Sequence, residues 1–259
     1  MRGSSIIGFR GLLGVISGYY FTLYKFKMSL MGMVVLAVLT APAVALEFGF
    51  APDLKTAGWR IHTPRGKQTA EFLVQSTGSL TVHADSQVAF LYTIVPDAGA
   101  SEHTLRWSWR VDKGFPGTDL SARGADDRPI AVHVYFADDD VGLLRKLGRG
   151  MASVFGVPVS GRAITYVWGG RRPARAMIPN PFMDDGDGVL VVQQSSSSAP
   201  TGQWVEETVD LAADYRAAFG GEPSMVKVIA VSADTDDTGA KSRAQIRDLQ
   251  LVDGLSALR

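Results

Sequence analysis

Short runs in which apolar and polar residues alternate recur along the whole chain after residue 46, with turn residues between them. In TLRWSWRV, residues 104–111, every second residue from Leu105 to Val111 is apolar, and the residues between them are arginine or serine. RPIAVHVYF, residues 128–136, alternates in the same way, with His133 and Tyr135 on its second face. Because successive side chains of a β-strand point to opposite faces of the sheet, a period of two predicts strands.

Eight further short runs are strand candidates separated by Gly, Pro, Asp and Ser: AEFLVQS, GSLTVHA, QVAFLYTI, RAITYVW, GVLVVQQS, QWVEETVDL, MVKVIAVSA and AQIRDLQLV. About ten short strands with turn residues between them are typical of antiparallel sandwiches and barrels, and not of βαβ units. We therefore predict an all-β fold, an antiparallel β-sandwich of the jelly-roll type, with residues 46–259 forming a single domain.

Two segments predict short helical insertions in this sandwich. In residues 140–155 apolar residues recur at helical spacing opposite basic residues, although two glycines weaken the helix. We interpret this segment as an inserted lid or flap between two strands. In residues 210–221, Asp210 is suited to cap a helix, and Gly220 is suited to end it in the left-handed conformation.

The N-terminal 45 residues have the pattern of an extension followed by an export signal. KFKMSLMGMVVLAVLTAPAVA, residues 25–45, begins with two lysines, continues with an apolar stretch over residues 30–39 and closes with Ala43-Val44-Ala45. The apolar stretch is short for a membrane span, and small residues precede the position that a signal peptidase would cut. We expect cleavage after Ala45, no stable membrane span after that cleavage, and a periplasmic or secreted body. An uncleaved anchor helix is the alternative.

Composition narrows the classes of function further. The formal net charge is zero, but residues 1–45 contain four basic residues and no acid, which leaves 22 basic against 26 acidic residues in the remainder. A mildly acidic body argues against a nucleic-acid partner, which requires a clustered positive face. The chain has no cysteine. Disulfides, thiolate metal sites and cysteine nucleophiles are therefore excluded.

Acidic loops flank two of the predicted strands. Asp126 and Asp127 precede the strand at 128–136, and SADTDDTG, residues 232–239, places Asp234 and Asp236 after the apolar run VKVIAV. If the two strands are antiparallel neighbours, both acidic pairs lie on the same rim of the sheet. Alternate oxygens followed by a glycine also suit calcium, so these four aspartates are the candidate metal ligands.

Two other interpretations of the acidic loops need no metal. Aspartate hydrogen-bonds its own backbone and favours tight turns, so SADTDDTG can be a turn alone. The carboxylates can also be neutralised by an arginine, for which Arg128, Arg243 and Arg247 are the nearest in the sequence. We expect no obligatory cofactor, with calcium as the alternative.

A second candidate site lies on the polar face of the strand at 128–136. His133 and Tyr135 share that face, and Arg106 and Arg110 would join it if their strand lies in the same sheet. Arginine can hold the carboxylate of an acidic sugar while Tyr and His move protons, which is the chemistry of a lyase. The polar face of a half-exposed sheet is the simpler interpretation.

A tryptophan at a strand end is the candidate for stacking on a sugar. In YVWGGRRP, Trp168 stands beside two glycines and Arg171, and we expect the ring to be exposed with Arg171 near it. The tryptophans of the strand at 104–111 share its apolar face with leucine and valine, and we expect them in the core.

Several stretches together resemble the bacterial domain-of-unknown-function 3047 family: WSWRV, DDRPIAVHVYF, ITYVWGG, NPF, WVEETVDLAADYRAAFG and VIAVSADTDDTG. The resemblance covers roughly residues 47–252. It implies an exported bacterial protein with a β-sandwich fold and no established activity, and it supplies no catalytic residues. Residues 139–160 are longer and more basic than the resemblance implies for that loop.

From these observations we expect a noncatalytic protein that binds a small molecule or glycan, or associates with the cell envelope. A carbohydrate-active enzyme that uses His133, Tyr135 and an arginine is the first alternative. A structural domain stabilised by calcium is the second. No nucleophile elbow, Ser-His-Asp spacing or phosphate loop favours any other chemistry.

Overall fold

A computed structural model describes residues 45–99, 101, 103–137, 161–183 and 186–252, all within one compact unit. The strands are β1 (Ala45–Glu47), β2 (Arg60–His62), β3 (Glu71–Val74), β4 (Leu80–Asp85), β5 (Val88–Ile94), β6 (Thr104–Lys113), β7 (Arg128–Phe136), β8 (Ala163–Trp168), β9 (Met177–Pro179), β10 (Gly188–Gln194), β11 (Val205–Asp210), β12 (Val226–Asp234) and β13 (Lys241–Val252). A 3₁₀ turn covers Asp97–Gly99, and helix α1 covers Leu211–Phe219.

The strands form two sheets that pack face to face. The six-stranded sheet has the order β11-β6-β13-β4-β3, and β1 pairs with β13. The seven-stranded sheet has the order β2-β5-β12-β7-β8-β10-β9. Every pair is antiparallel except β8 with β10, which is parallel. The predicted β-sandwich is therefore confirmed, and the expectation of purely antiparallel sheets is wrong at this one pair.

All ten predicted runs are strands, and the three that the pattern missed are β1, β2 and β9. Each of these three has only three residues, which is too short for an alternation to be recognised.

The core between the sheets is built around aromatic rings. Trp107 and Trp109 of β6 contact each other edge to face at 5.2 Å, and Trp109 meets Trp168 of β8 at 5.6 Å. Trp107 also contacts Tyr166 at 5.5 Å. Large rings in such contacts stabilise a core through buried area and ring geometry. The two tryptophans of β6 lie in the core as predicted.

Strand β7 is buried along its whole length, from Arg128 to Phe136. One face packs into the sandwich core, and the other is covered by Leu120 and Met183 from loops and by Ile178 of β9. Burial on both faces explains why tyrosine and histidine stand on the second face of this run, at positions that a solvated sheet would give to charged residues.

One of the two helical insertions is confirmed. Asp210 caps α1 by accepting a hydrogen bond from the Ala213 amide at 2.9 Å. Gly220 ends the helix at a φ of 70° and a ψ of 165°, so the positive φ is as expected, but ψ lies outside the left-handed helical region, in a region open essentially to glycine alone. The other insertion, residues 140–155, lies outside the described residues. No helix in the described part of the chain has the length and apolar character needed to cross a membrane.

Candidate functional site

The two acidic loops meet at one rim of the seven-stranded sheet. Strands β7 and β12 are antiparallel neighbours, and Asp234 lies directly opposite Arg128 in their register. Asp126, which precedes β7, is therefore brought beside Asp234, which ends β12. The predicted shared rim is confirmed, and it follows from the pairing of the two strands alone.

Arg128 joins the two loops from a buried position, with only 6% of its side chain exposed. Its Nη1 donates to Asp126 Oδ2 at 3.0 Å and to the Asp126 carbonyl at 3.1 Å, and it lies 3.3 Å from Asp234 Oδ2. Arg243 and Arg247 belong to β13 of the other sheet. Of the three arginines that the sequence offered, Arg128 pairs with the rim carboxylates.

Asp127 holds the SADTDDTG stretch as a turn. Its buried carboxylate accepts hydrogen bonds from the Asp237 amide at 3.2 Å, from the Thr238 amide at 2.9 Å and from the Thr238 hydroxyl. Gly239 follows with a φ of 67°, a conformation that favours glycine. Through these three hydrogen bonds, Asp127 connects the loop after β12 to the loop before β7.

Lys67 closes the rim from the loop between β2 and β3. Its ammonium pairs with Asp236 and lies 3.7 Å from Asp237 Oδ1. Lys67 is 43% exposed, whereas the Asp236 side chain is nearly buried. The rim therefore has an inner cation, Arg128, and an outer cation, Lys67, and each of them spans two carboxylates.

A cavity of about 240 Å³ lies against this rim on the outer face of the seven-stranded sheet. Three aromatic rings line it: Phe90, Tyr135 and Phe182. Its charged residues are Asp126, Arg128, Asp234, Asp236, Asp237 and Lys67, and His133 lines it as well. A concave, largely apolar site with a few convergent polar groups is the usual form of a small-molecule site.

His133 is fixed by hydroxyl groups on both sides. Its Nδ1 lies 3.0 Å from Thr165 Oγ1, and its Nε2 lies 2.7 Å from Ser232 Oγ. Burial, with a smaller contribution from the charge of Arg128, lowers the pKa of His133 well below its ordinary value. The imidazole is therefore neutral, and both of its nitrogens are engaged in hydrogen bonds within the sheet.

The predicted His-Tyr-Arg set is not assembled. Arg106 and Arg110 lie on β6 of the six-stranded sheet, whereas His133 and Tyr135 lie on β7 of the other sheet. Burial also raises the pKa of Tyr135 above its ordinary value, which disfavours the phenolate. The expectation that these four residues share one face is wrong, because alternation defines the faces of a strand but not the sheet to which it belongs.

The candidate ligand residues Trp168 and Arg171 are separate from the cavity. Trp168 is 3% exposed and packs in the core, so the expectation of an exposed ring is wrong. Gly169, which follows Trp168, packs against Pro129 and Arg128 and does not expose the ring. Arg171 is 65% exposed and lies 3.4 Å from Asp119. Neither residue lines the cavity.

Two of the rim carboxyls resist ionisation. Burial raises the pKa of Asp234 to about 8, against the attraction of Arg128 and with help from Asp236 and Asp126 nearby. Burial also raises the pKa of Asp126, again opposed by Arg128. Desolvated carboxyls that lie close together favour the protonated form. Arg128 alone therefore does not keep both Asp126 and Asp234 ionised.

Three buried atoms of the inner rim have no hydrogen-bond partner within the described part of the protein: Asp126 Oδ1, Asp234 Oδ1 and Arg128 Nε. Buried polar atoms are nearly always hydrogen-bonded, since an unpaired one costs about 1–3 kcal/mol. The inner rim thus offers two acceptors and one donor that the protein itself does not use.

The candidate metal ligands Asp126, Asp127, Asp234 and Asp236 are close in space, but their geometry is that of ion pairs and turn hydrogen bonds. Within the described ranges, no group of three or more carboxylates or histidines is arranged to hold a metal ion. Calcium binding to these loops stays a prediction from the sequence.

The residues that the sequence did not single out are Lys67, Phe90 and Phe182. Phe90 lies 5.2 Å from the His133 ring, and Phe182 lies under the guanidinium of Arg123 at 5.4 Å and is 50% exposed. Phe90 had a usable signal, because QVAFLYTI is apolar on both faces and so predicts a strand covered on both sides. Lys67 and Phe182 lie in loops, where the sequence has no comparable pattern.

Replacing Asp234 with asparagine should flatten the dependence of stability on pH. The raised pKa means that the folded chain keeps a proton on Asp234 which the unfolded chain releases above about pH 4. The contribution of this group to stability therefore falls as pH rises from about 4 to about 8. Relative to wild type, Asp234→Asn should become more stable as pH rises through this window, as measured by urea unfolding. A difference that does not change with pH would contradict the raised pKa.

The sequence matches a family model described as "Protein of unknown function (DUF3047)" over residues 57–250. No curated relative matches the sequence significantly.

Solved structures to which the chain is similar include a carbohydrate-binding module, a xyloglucanase domain and an endoglucanase. A family 11 carbohydrate-binding module from Clostridium thermocellum is 10% identical with a TM-score of 0.41, over 83% of this chain and 98% of that one. The xyloglucanase domain of NopAA, a type three effector from Sinorhizobium fredii, is 12% identical with a TM-score of 0.41, over 82% and 97%. Endoglucanase 3 of family GH12 from Trichoderma harzianum is 9% identical with a TM-score of 0.38, over 82% and 98%. Likeness at this level says nothing about the ligand of this chain.

Proposed function

The chain belongs to the DUF3047 family of proteins of unknown function, and we propose that it is a noncatalytic binding protein for a small carbohydrate-class ligand. The ligand occupies the cavity on the outer face of the seven-stranded sheet, between the aromatic rings and the charged rim. Export to the periplasm or beyond, through the signal pattern of residues 25–45, belongs to the same proposal.

The observation that carries the proposal is the set of unused atoms at the inner rim. Arg128 Nε can donate a hydrogen bond and Asp126 Oδ1 can accept one, while the carboxyl of Asp234 can accept as a carboxylate or donate when it holds its proton. A sugar presents hydroxyl groups, and each hydroxyl both donates and accepts. Since Asp126, Arg128 and Asp234 all line the cavity, a polyhydroxylated ligand can use all three groups at once.

The aromatic side chains that line the cavity suit the C–H face of a sugar ring. Phe182 is half exposed, and Phe90 and Tyr135 lie deeper beside His133. An aromatic ring packs against the C–H face of a sugar while the hydroxyl edge stays hydrogen-bonded. The volume of about 240 Å³ lies below the range of about 300–1,000 Å³ of drug-sized pockets, which favours a monosaccharide or a single terminal residue.

The state of His133 supports a binding role without catalysis. A general base needs an accessible nitrogen within reach of the substrate and a pKa near the working pH. Both nitrogens of His133 are engaged by Thr165 and Ser232, and its pKa is lowered by burial. His133 is best explained as a residue that shapes the floor of the cavity.

Titration calorimetry with a panel of mono- and disaccharides tests the proposed function. We expect at least one sugar to bind the full chain, and Phe182→Ala to weaken it roughly two- to tenfold through lost ring contact. Phe182 is half exposed, so its removal leaves the fold intact.

The matched control is Trp204→Ala. Trp204 is a partly buried ring directly before β11, under the guanidinium of Arg247 of β13, and it is not part of the cavity lining. Its loss should leave affinity unchanged. If no sugar binds, or if Trp204→Ala removes binding while Phe182→Ala does not, the proposed function or its location is overturned.

A further inference from the structure

We propose that the ligand of this cavity carries a protonated amine, as an amino sugar with a free amino group does, and that its ammonium group binds between Asp126 and Asp234. This inference rests on the proposed function and names the ligand class more narrowly. A neutral sugar would satisfy the hydrogen bonds of the rim, but it would leave the charge of the rim uncompensated.

The charges that line the cavity do not balance. Four aspartates line it, and the described part of the lining has two cations, Arg128 and Lys67. Arg128 spans Asp126 and Asp234, and Lys67 spans Asp236 and Asp237. Each cation therefore serves two carboxylates. A buried carboxylate without its own counter-charge is costly, and the usual remedies are a proton, a metal ion or a cationic partner. Without a ligand, burial raises the pKa of Asp234 and a proton takes this role, and the ammonium group of the ligand replaces that proton.

The available acceptors have the right chemistry for an ammonium group. Arg128 Nη1 contacts the Oδ2 atoms of both Asp126 and Asp234, and the Oδ1 atom of each has no hydrogen-bond partner among the residues that the structure describes. An ammonium group has three donors and no acceptor, so it can donate to both free oxygens. Arg128 Nε remains as a donor for a hydroxyl oxygen of the same ligand. An amine with a neighbouring hydroxyl matches this set of two acceptors and one donor.

The aromatic walls favour a cation over a neutral group. Phe90, Tyr135 and Phe182 all line the same cavity, and the face of an aromatic ring attracts positive charge. Phe182 already lies under the guanidinium of Arg123 at the edge of the site. Metal ions meet the charge less well, because no group of three or more carboxylates or histidines among the described residues is arranged as a ligand set.

Matched trios of sugars test the amine directly. In each of the gluco, galacto and manno series, calorimetry compares the 2-amino sugar, the N-acetylated 2-amino sugar and the parent neutral sugar on the full chain. The parent sugar replaces the amine with a neutral hydroxyl group of similar size, and acetylation removes the charge while enlarging the substituent. A charge-assisted hydrogen bond in a desolvated site should make the free amine bind about tenfold tighter, or more, than its matched neutral sugar.

Asp126→Asn tests the assignment of the rim. Asparagine keeps the shape of the side chain and removes its charge, so the preference for the amine over the neutral sugar should fall by about tenfold. The preference is a ratio measured within one variant, and partial destabilisation of the fold does not affect it. Asp119→Asn is the matched control, because Asp119 is an exposed aspartate paired with Arg171 outside the cavity. Its preference should equal that of wild type.

The outcomes separate the two proposals. Amine selectivity that is lost in Asp126→Asn and kept in Asp119→Asn supports the inference. Equal binding of the amine, the acetylated sugar and the neutral sugar overturns the inference and leaves the proposed function standing. Amine selectivity that survives in Asp126→Asn overturns the location of the ammonium group. Binding of none of the nine sugars overturns both proposals.

Discussion

Replacing Arg128 with methionine is expected to lower the free energy of unfolding by roughly 3–5 kcal/mol at neutral pH. Methionine fills much of the same space, but it leaves Asp126 and Asp234 buried beside each other with no cation between them. The cost of an unpaired buried charge exceeds the net benefit of the original pair, which is why removing one partner is so damaging. Urea unfolding followed by tryptophan fluorescence measures the loss, since four of the five tryptophans lie in the core.

The control for this prediction is Arg171→Met. Arg171 is 65% exposed and its pair with Asp119 is open to solvent, so its removal should cost less than about 1 kcal/mol. Adding Asp234→Asn to Arg128→Met should restore part of the lost stability, because the neutral amide removes the cost of either protonating Asp234 or burying its charge. Equal losses in Arg128→Met and Arg171→Met would mean that the rim carboxyls are not held by Arg128.

The rim could be predicted from the sequence because it depends on one pairing. Once the strand at 128–136 and the strand ending at Asp234 are taken as antiparallel neighbours, the acids before one and after the other must meet. The cation that pairs with these acids could also be predicted, because Arg128 is the first residue of the strand at 128–136. Local pattern and one assumption about topology were sufficient for this part of the site.

The rest of the cavity could not be predicted because it is assembled from loops. Lys67 comes from the β2–β3 loop, Phe182 from the loop after β9, and Gly124 from the loop before β7. Hydrophobic alternation fixes which residues of a strand share a face, but it carries no information about which loops cover that face. The same limit explains why Arg106 and Arg110 were grouped with His133, although β6 and β7 lie in different sheets.

Replacing Trp168 with alanine is expected to cost roughly 3–5 kcal/mol of stability, as for other large buried aromatic residues. The ring is 3% exposed and meets Trp109 edge to face at 5.6 Å, so alanine leaves a cavity between the two sheets. The earlier expectation of an exposed, sugar-stacking ring implies the opposite pattern, with little change in stability and a loss of ligand affinity. Urea unfolding and sugar titration of the same variant decide between the two roles.

The comparison needs a milder substitution at Trp168 that still folds, and a substitution at an exposed ring of the cavity. Trp168→Phe keeps an aromatic ring at the contact and should lose less stability than Trp168→Ala, so affinity can be measured on it if the alanine variant is too unstable. Phe182→Ala is the reverse case, with a half-exposed ring that lines the cavity. It should change affinity more than stability. Since Trp168 lies between the sheets and the cavity lies outside one of them, a loss of affinity in Trp168→Phe without a loss of stability would contradict the placement of the binding site.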